Sequence, residues 1–288
     1  MSAVTSARRS RPLILRHRGR LPILVGVAGA LLLLVVACVG FGQWIAPHDP
    51  SAQNPLLSAT GPGGGHWLGT DRLGRDVLSR IIVGARPALV GPLCIAVASV
   101  VVGASLGLIA GYRGGVIDSL LNRFADLIYA LPALLVAVVV VGVVGGGYWV
   151  AVLVLIVLSL PGEIRLCRSA TSVQARLPYV DAAHTLGVSA PRIMFRHILP
   201  NIMPTVVATF LLDFAGAVVG FSSLAFLGLG VQPGSTAWGS MLADGQSLIT
   251  INPWLALSPA ILLILTTASV TLIGDWVHSY FAADRGGR

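Results

Sequence analysis

The chain has 288 residues, 55% of them hydrophobic and 10% charged, with a mean hydropathy of +0.86. A soluble domain usually carries about 25% charged residues, so this composition defines an integral membrane protein. The net charge of +8 comes entirely from arginine; without a single lysine, a Walker A loop and a lysine Schiff base are both excluded.

No basic stripe with interleaved aromatics is present, so nucleic acid is not an expected partner. Cys38, Cys94 and Cys167 lie in or at the ends of apolar runs, at spacings that fit neither a zinc site nor a redox pair. They are read as structural.

A hydrocarbon core needs about 20 apolar residues per helix. Six spans are predicted in an all-α membrane protein, over residues 21–45, 87–110, 124–144, 149–166, 203–226 and 254–277. The fourth is the least regular, because Pro161, Gly162 and Glu163 interrupt it. Around the spans, 1–20 is a basic N-terminal segment and 46–86 an extracytoplasmic segment. Residues 87–277 form a five-helix core, and 278–288 a C-terminal tail. Val35-Val36-Ala37-Cys38 resembles a lipoprotein cleavage box, but its apolar run is long enough to span as an anchor.

Arginine placement sets the orientation. With both termini inside, 15 of the 19 arginines fall on the inner side, and Arg72, Arg75, Arg80 and Arg86 fall outside. In the outer segment Asp71 and Asp76 alternate with Arg72 and Arg75, which predicts local ion pairs. Residues 226–241 are Gly/Pro-broken yet partly apolar. Irregular backbone near a bilayer survives where it is buried in protein or lines a cavity, so this segment is the expected outer lip of a pathway. Its candidate residues are Phe226, Gly228, Gly230, Gln232 and Trp238. Asp213 lies inside the fifth span, where an acid either serves a pathway or pairs within the bundle. Glu163, the one glutamate, stands two residues from Arg165 and is expected to contact the neighbouring inner arginines.

The polar stretch 177–201 lies on the predicted inner side. Pro178 suits a helix first turn, Gly187 the left-handed position past its end, and Ser189 with Pro191 the start of a second helix. Helical spacing puts Tyr179, Ala182, Ala183 and Leu186 on one face, and a connection this long usually has a task. A dock for another protein is expected. His184 and His197 are not at metal-ligand spacing, and no residue is assigned a catalytic or metal-binding role.

Asp181-Ala182-Ala183, three further residues, Gly187, and then Leu199-Pro200 resembles the EAA loop of ABC importer permeases. Asp181 stands where glutamate is usual and His197 where isoleucine is usual. Gly69-Thr-Asp-Arg-Leu-Gly-Arg-Asp-Val-Leu-Ser-Arg80 resembles the outer signature of the C-type permeases of dipeptide and oligopeptide importers. Asp126 with Pro132, Phe226-Leu-Gly-Leu-Gly-Val-Gln-Pro233, Trp238-Gly239 and Gly274-Asp275 are similar to the same subfamily. Phe221, where an acid is frequent, and Asp213, where an apolar residue is usual, depart from it.

The resemblance implies a type I importer permease fold with a cytoplasmic coupling helix. It also implies a B-type permease partner, two cytoplasmic ATPases docked on the coupling helices, and an extracytoplasmic peptide-binding protein. ATP and magnesium would be used by the ATPases, with no cofactor on this chain. The cargo implied is di- or oligopeptide; nickel chelates, glutathione and murein peptides are the alternatives within the same machinery. A secondary transporter or channel is the reading of a different class, and the EAA-like loop argues against it.

Overall fold

In the computed structural model the described residues are 21–286, with side chains from 23 to 280. The basic segment 1–20 and the end of the C-terminal tail lie outside the described residues. Among the described residues there are helices, turns and two isolated bridges, and no strand.

Five helices are long and apolar enough to cross a membrane, and a sixth crossing is available if one bent pair counts as a span. Helix α1 covers Leu21–Ile45, matching the first predicted span. Helix α2, Val77–Arg113, starts ten residues before the predicted second span. The earlier start follows from Asp76, whose carboxylate accepts the Ser79 N–H at 2.8 Å and caps the helix. At 37 residues α2 is about 55 Å long, against about 30 Å of hydrocarbon, so it reaches past the apolar layer.

The third span differs most. Instead of one helix over 124–144, α3 (Gly115–Tyr129) and α4 (Ala133–Val144) meet at 82°. Pro132 causes the break, since it lacks an N–H and drives Leu131 out of helical geometry. Polar residues at 118, 122 and 126 line one stripe of α3. Asp118 there accepts both Nε and Nη2 of Arg168, and Asp126 accepts Arg165 Nη2 at 2.6 Å. The Arg165 guanidinium also lies 5.0 Å over the Tyr129 ring. These contacts strap α3 to α5.

Helix α5, Tyr148–Gln174, runs through Pro161 without interruption. The short α6, Pro178–Thr185, and α7, Ala190–Arg192, follow. A π-helical segment, Ile193–Ile198, joins α7 to α8, Leu199–Phe226, so the fifth span begins earlier than expected. Helix α9, Trp238–Gln246, and α10, Trp254–Gly286, complete the chain.

Helix α2 is the central post. A stripe at Gly103, Gly107 and Gly111 faces α5 so closely that a Cβ at Gly107 would stand 2.7 Å from both Cys167 Cβ and the Ile164 carbonyl oxygen. Small residues four apart let two helix backbones approach, which gives van der Waals packing where the membrane supplies no hydrophobic force. One buried cluster joins Leu108 of α2, Cys167 of α5, Ile193 and Ile198. A second joins Ile95, Val141, Val152 and Phe221. A third joins Val35 of α1, Ala85 and Leu89 of α2, and Trp238.

Candidate functional site

Four levels along α2 hold the polar features of the molecule. At its N-terminal end the 69–80 segment folds as a fastener. Asp71 accepts the N–H groups of Leu73 and Arg75, both at 2.9 Å, and pairs with the Arg75 side chain at 2.6 Å. Buried Arg80 donates to the carbonyls of Gly234 and Ser235 at 3.0 and 2.9 Å, and Arg75 also reaches Gly234 at 3.2 Å. Arg72 bonds Ser247. The expected ion pairing thus holds for Asp71, whereas Asp76 meets Ser79 and His66 rather than an arginine. Burial alone raises the Asp76 carboxyl; hydrogen bonds from Ser79 and His66 and the charge of His48 outweigh it and hold it below its usual range. Burial raises the Asp244 carboxyl despite Arg80 and Arg75 nearby.

The second level is a cavity of about 540 Å³ between the 145–147 turn, Tyr148 and the 228–237 segment. Gly228, Gly230 and Gln232 line it. Its walls expose much backbone, since five of the lining residues are glycines of these two turns. Phe226 and Trp238 do not belong to it. Phe226 lines a separate apolar groove of about 510 Å³ with α10 residues such as Ile264. Trp238 is 1% exposed and donates from Nε1 to the Ile81 carbonyl at 2.9 Å, so it anchors α9 to α2. The correction follows from size: an indole at this depth gains more from burial with its N–H satisfied than from facing a polar channel.

Tyr148 is a feature the sequence did not single out. Its hydroxyl accepts the Gly91 N–H at 2.6 Å and donates to the Pro87 carbonyl at 2.9 Å. The phenol is thereby inserted into the α2 hydrogen-bond ladder beside the cavity, where side-chain insertion bends helices. Its partner is set by tertiary contact, which spacing along the sequence does not reveal.

The third level is a carboxyl pair. Asp213 accepts Ser99 Oγ at 3.1 Å, Glu163 accepts Thr209 Oγ1 at 3.3 Å, and the two carboxyl groups are neighbours. Glu163 is 1% exposed and does not contact the inner arginines as expected. Arg165 and Arg168 instead pair with Asp126 and Asp118. Residues two apart on a helix do not face each other, which is why Arg165 cannot serve Glu163.

At the far end of α2 sits α6. Gly187 has φ +73°, and the bonds Gly187 N–H to His184 and Val188 N–H to Ala183 close a Schellman motif. The Tyr112 hydroxyl and His184 Nε2 lie 2.9 Å apart, tying α6 to the end of α2. The expected single docking face is divided. Val180 and Ala183 are buried in the cluster beneath, and Tyr179 packs against it and donates to Gln174 at 3.0 Å. Asp181, Ala182 and Leu186 are exposed, Leu186 at 82%. Helical periodicity places 179, 182, 183 and 186 together, but an eight-residue helix lying on a bundle must bury one side, and Val180 with Ala183 supply it.

A bundle of membrane-length helices with a cavity near one end and a small helix displayed at the other is built as a transport permease. Residues 103–285 match the family described as "Binding-protein-dependent transport system inner membrane component", and the chain belongs to that family. It is 39% identical over 258 residues to the di/tripeptide transport system permease protein of Pseudomonas aeruginosa, covering 87% of this chain and 85% of that one. It is 36% identical over 251 residues to the glutathione transport system permease protein of Pectobacterium atrosepticum, covering 86% and 83%. The probable D,D-dipeptide transport system permease protein of Escherichia coli K12 is 30% identical over 267 residues, covering 93% and 89%. In fold, the chain is similar to an inward-facing crystal form of the MetNI methionine ABC transporter. The TM-score is 0.53 at 17% identity, covering 69% of this chain and 95% of that one. This chain is therefore a multi-pass inner-membrane protein and a permease subunit of an ABC importer.

Proposed function

We propose that this subunit forms half of a peptide pathway, paired with a B-type permease and driven by two separate cytoplasmic ABC ATPases. An extracytoplasmic binding protein delivers di- or oligopeptides to the 228–237 segment. The observation that carries this is the split surface of α6. Val180 and Ala183 root it in the core shared by α2, α5 and α8, while Asp181, Ala182 and Leu186 stand free as a dock. A rooted helix with a free face transmits motion: an ATPase that grips the free face moves the core with it.

The chain supplies pathway and lever, not hydrolysis. ATP and magnesium are used by the partner ATPases, and ATP binding biases an equilibrium between inward and outward states. Peptide cargo is supported by the relatives named for di/tripeptides and for glutathione, itself a tripeptide. It is also supported by a cavity rich in exposed backbone, which can pair with any peptide's amides whatever its side chains. Glutathione is the cargo of the second reading, favoured by the 36% identical relative.

The test is a double Asp181→Arg, Gly187→Val variant in cells expressing the whole transporter. The variant is expected to insert in the membrane, fail to retain the ATPase subunits on purification, and lose peptide uptake. Normal uptake by the double variant overturns the docking role. A wild-type chain that never co-purifies with an ATP-binding subunit points to a secondary transporter instead.

A further inference from the structure

Three chain segments place His48, His66 and Asp76 together beside the N-terminus of α2, at the opposite end of the bundle from α6. We propose that His48, His66 and Asp76 form a binding site for a divalent transition-metal cation, with zinc the ion best suited to the set. Each residue offers one ligand atom, and the three atoms lie within 4.8 Å of one another. Two imidazole nitrogens and one carboxylate oxygen are a zinc donor set, with the fourth position left to water.

The donors are held in place by the fold. Asp76 Oδ2 accepts the Ser79 N–H at 2.8 Å and the Ser79 hydroxyl at 2.6 Å, which leaves Oδ1 directed at His66 Nδ1, 2.8 Å away. The Ser79 hydroxyl also accepts the His48 backbone N–H at 3.0 Å. Reciprocal backbone bonds to Gly63, at 2.9 and 3.0 Å, pin His66. Such outer contacts orient metal ligands in established sites.

His48 Nδ1 stands 3.7 Å from Asp76 Oδ2, and the two imidazole centroids are 4.9 Å apart. In a tetrahedral zinc site the donor atoms stand about 3.4 Å apart. Closure therefore needs a shift of about 1 Å in a donor, and His48, with its side chain 44% exposed, has the freedom to make it. The neighbouring cations are engaged elsewhere: Arg75 and Arg80 bond Asp71, Gly234 and Ser235. Binding takes the place of the hydrogen between His66 Nδ1 and Asp76 Oδ1, and a neutral imidazole then carries that hydrogen on Nε2. The ion would fasten the loop leaving α1 and the 63–66 turn to the start of α2.

The test uses the purified whole transporter carrying a tag free of histidine. Zinc chloride titrated against a chromophoric chelator is expected to give one tightly bound zinc per chain, and cobalt chloride to give the visible bands of a low-coordinate site. His48→Ala and His66→Ala should each abolish both signals. Ser79→Ala, which frees the Asp76 carboxylate, should weaken zinc by about 10–100-fold. Melting temperature should rise with zinc in the wild type and not in His48→Ala. Absence of stoichiometric zinc, or binding unchanged in His48→Ala, overturns the proposal; His48 is exposed enough that its loss leaves folding intact. Neither result depends on what the transporter carries.

Discussion

Glu163 and Asp213 make the sharpest residue-level demand. An ionised carboxylate only accepts, so two neighbouring carboxyl groups can bond each other only with a hydrogen on one of them. Ser99 and Thr209 supply the other donors. Glu163→Gln keeps a donor at that position and should leave the melting temperature of the purified transporter nearly unchanged. Glu163→Ala strands Asp213 and Thr209 and should cost about 1–3 kcal/mol. Equal, large losses in both variants would mean the pair does not share a hydrogen. The contrast with Gly187 shows what a sequence exposes. Gly187 was legible because its need is local: a left-handed residue closing a helix. Glu163 was misassigned because its nearest arginine in sequence lies on another face of α5, and its true partner is fifty residues away on α8. Tyr148 was missed for the same reason, its two partners both lying on α2.

At the scale of elements, apolar length located the helices, and the breaks came from chemistry that length ignores. Helix α1 needed nothing more than its composition. Helix α2 began early because Asp76 caps it, and the third span folded in two because Pro132 cannot continue α3. The packing of α2 on α5 rests on glycines that the composition dispersed among 34. Gly107→Ala would drive its methyl against the Ile164 carbonyl, which belongs to a helix backbone and has little room to yield. Overpacking of this kind costs about 1–3 kcal/mol, so thermal melting of the purified transporter should show a clear loss. Gly26→Ala on α1, with nothing within 4 Å, is the control and should be neutral or stabilising by up to about 1 kcal/mol. Matching behaviour of the two variants would place α2 and α5 further apart than described.

For the whole molecule, the open question is which way the bundle faces, and the arginines bear on it physically as well as by number. Among the four on the 46–86 side, Arg72, Arg75 and Arg80 are spent inside the fold on Ser247, Asp71 and the 234–235 carbonyls. On the α6 side, Arg113, Arg123, Arg176, Arg192 and Arg196 have no ion pair among the described residues. The positive-inside rule, applied to this asymmetry, gives the expectation that α6 faces the cytoplasm, and labelling tests it. Leu56 and Leu186 report the two faces, being 92% and 82% exposed and at opposite ends. In a background with Cys38, Cys94 and Cys167 replaced, Leu56→Cys should react with a membrane-impermeant maleimide on intact cells. Leu186→Cys should react only after the membrane is opened, and adding the ATPase subunits to opened membranes should then shield it. Labelling of Leu186→Cys on intact cells would invert the molecule. It would remove α6 from reach of any cytoplasmic ATPase, and with it the coupling role.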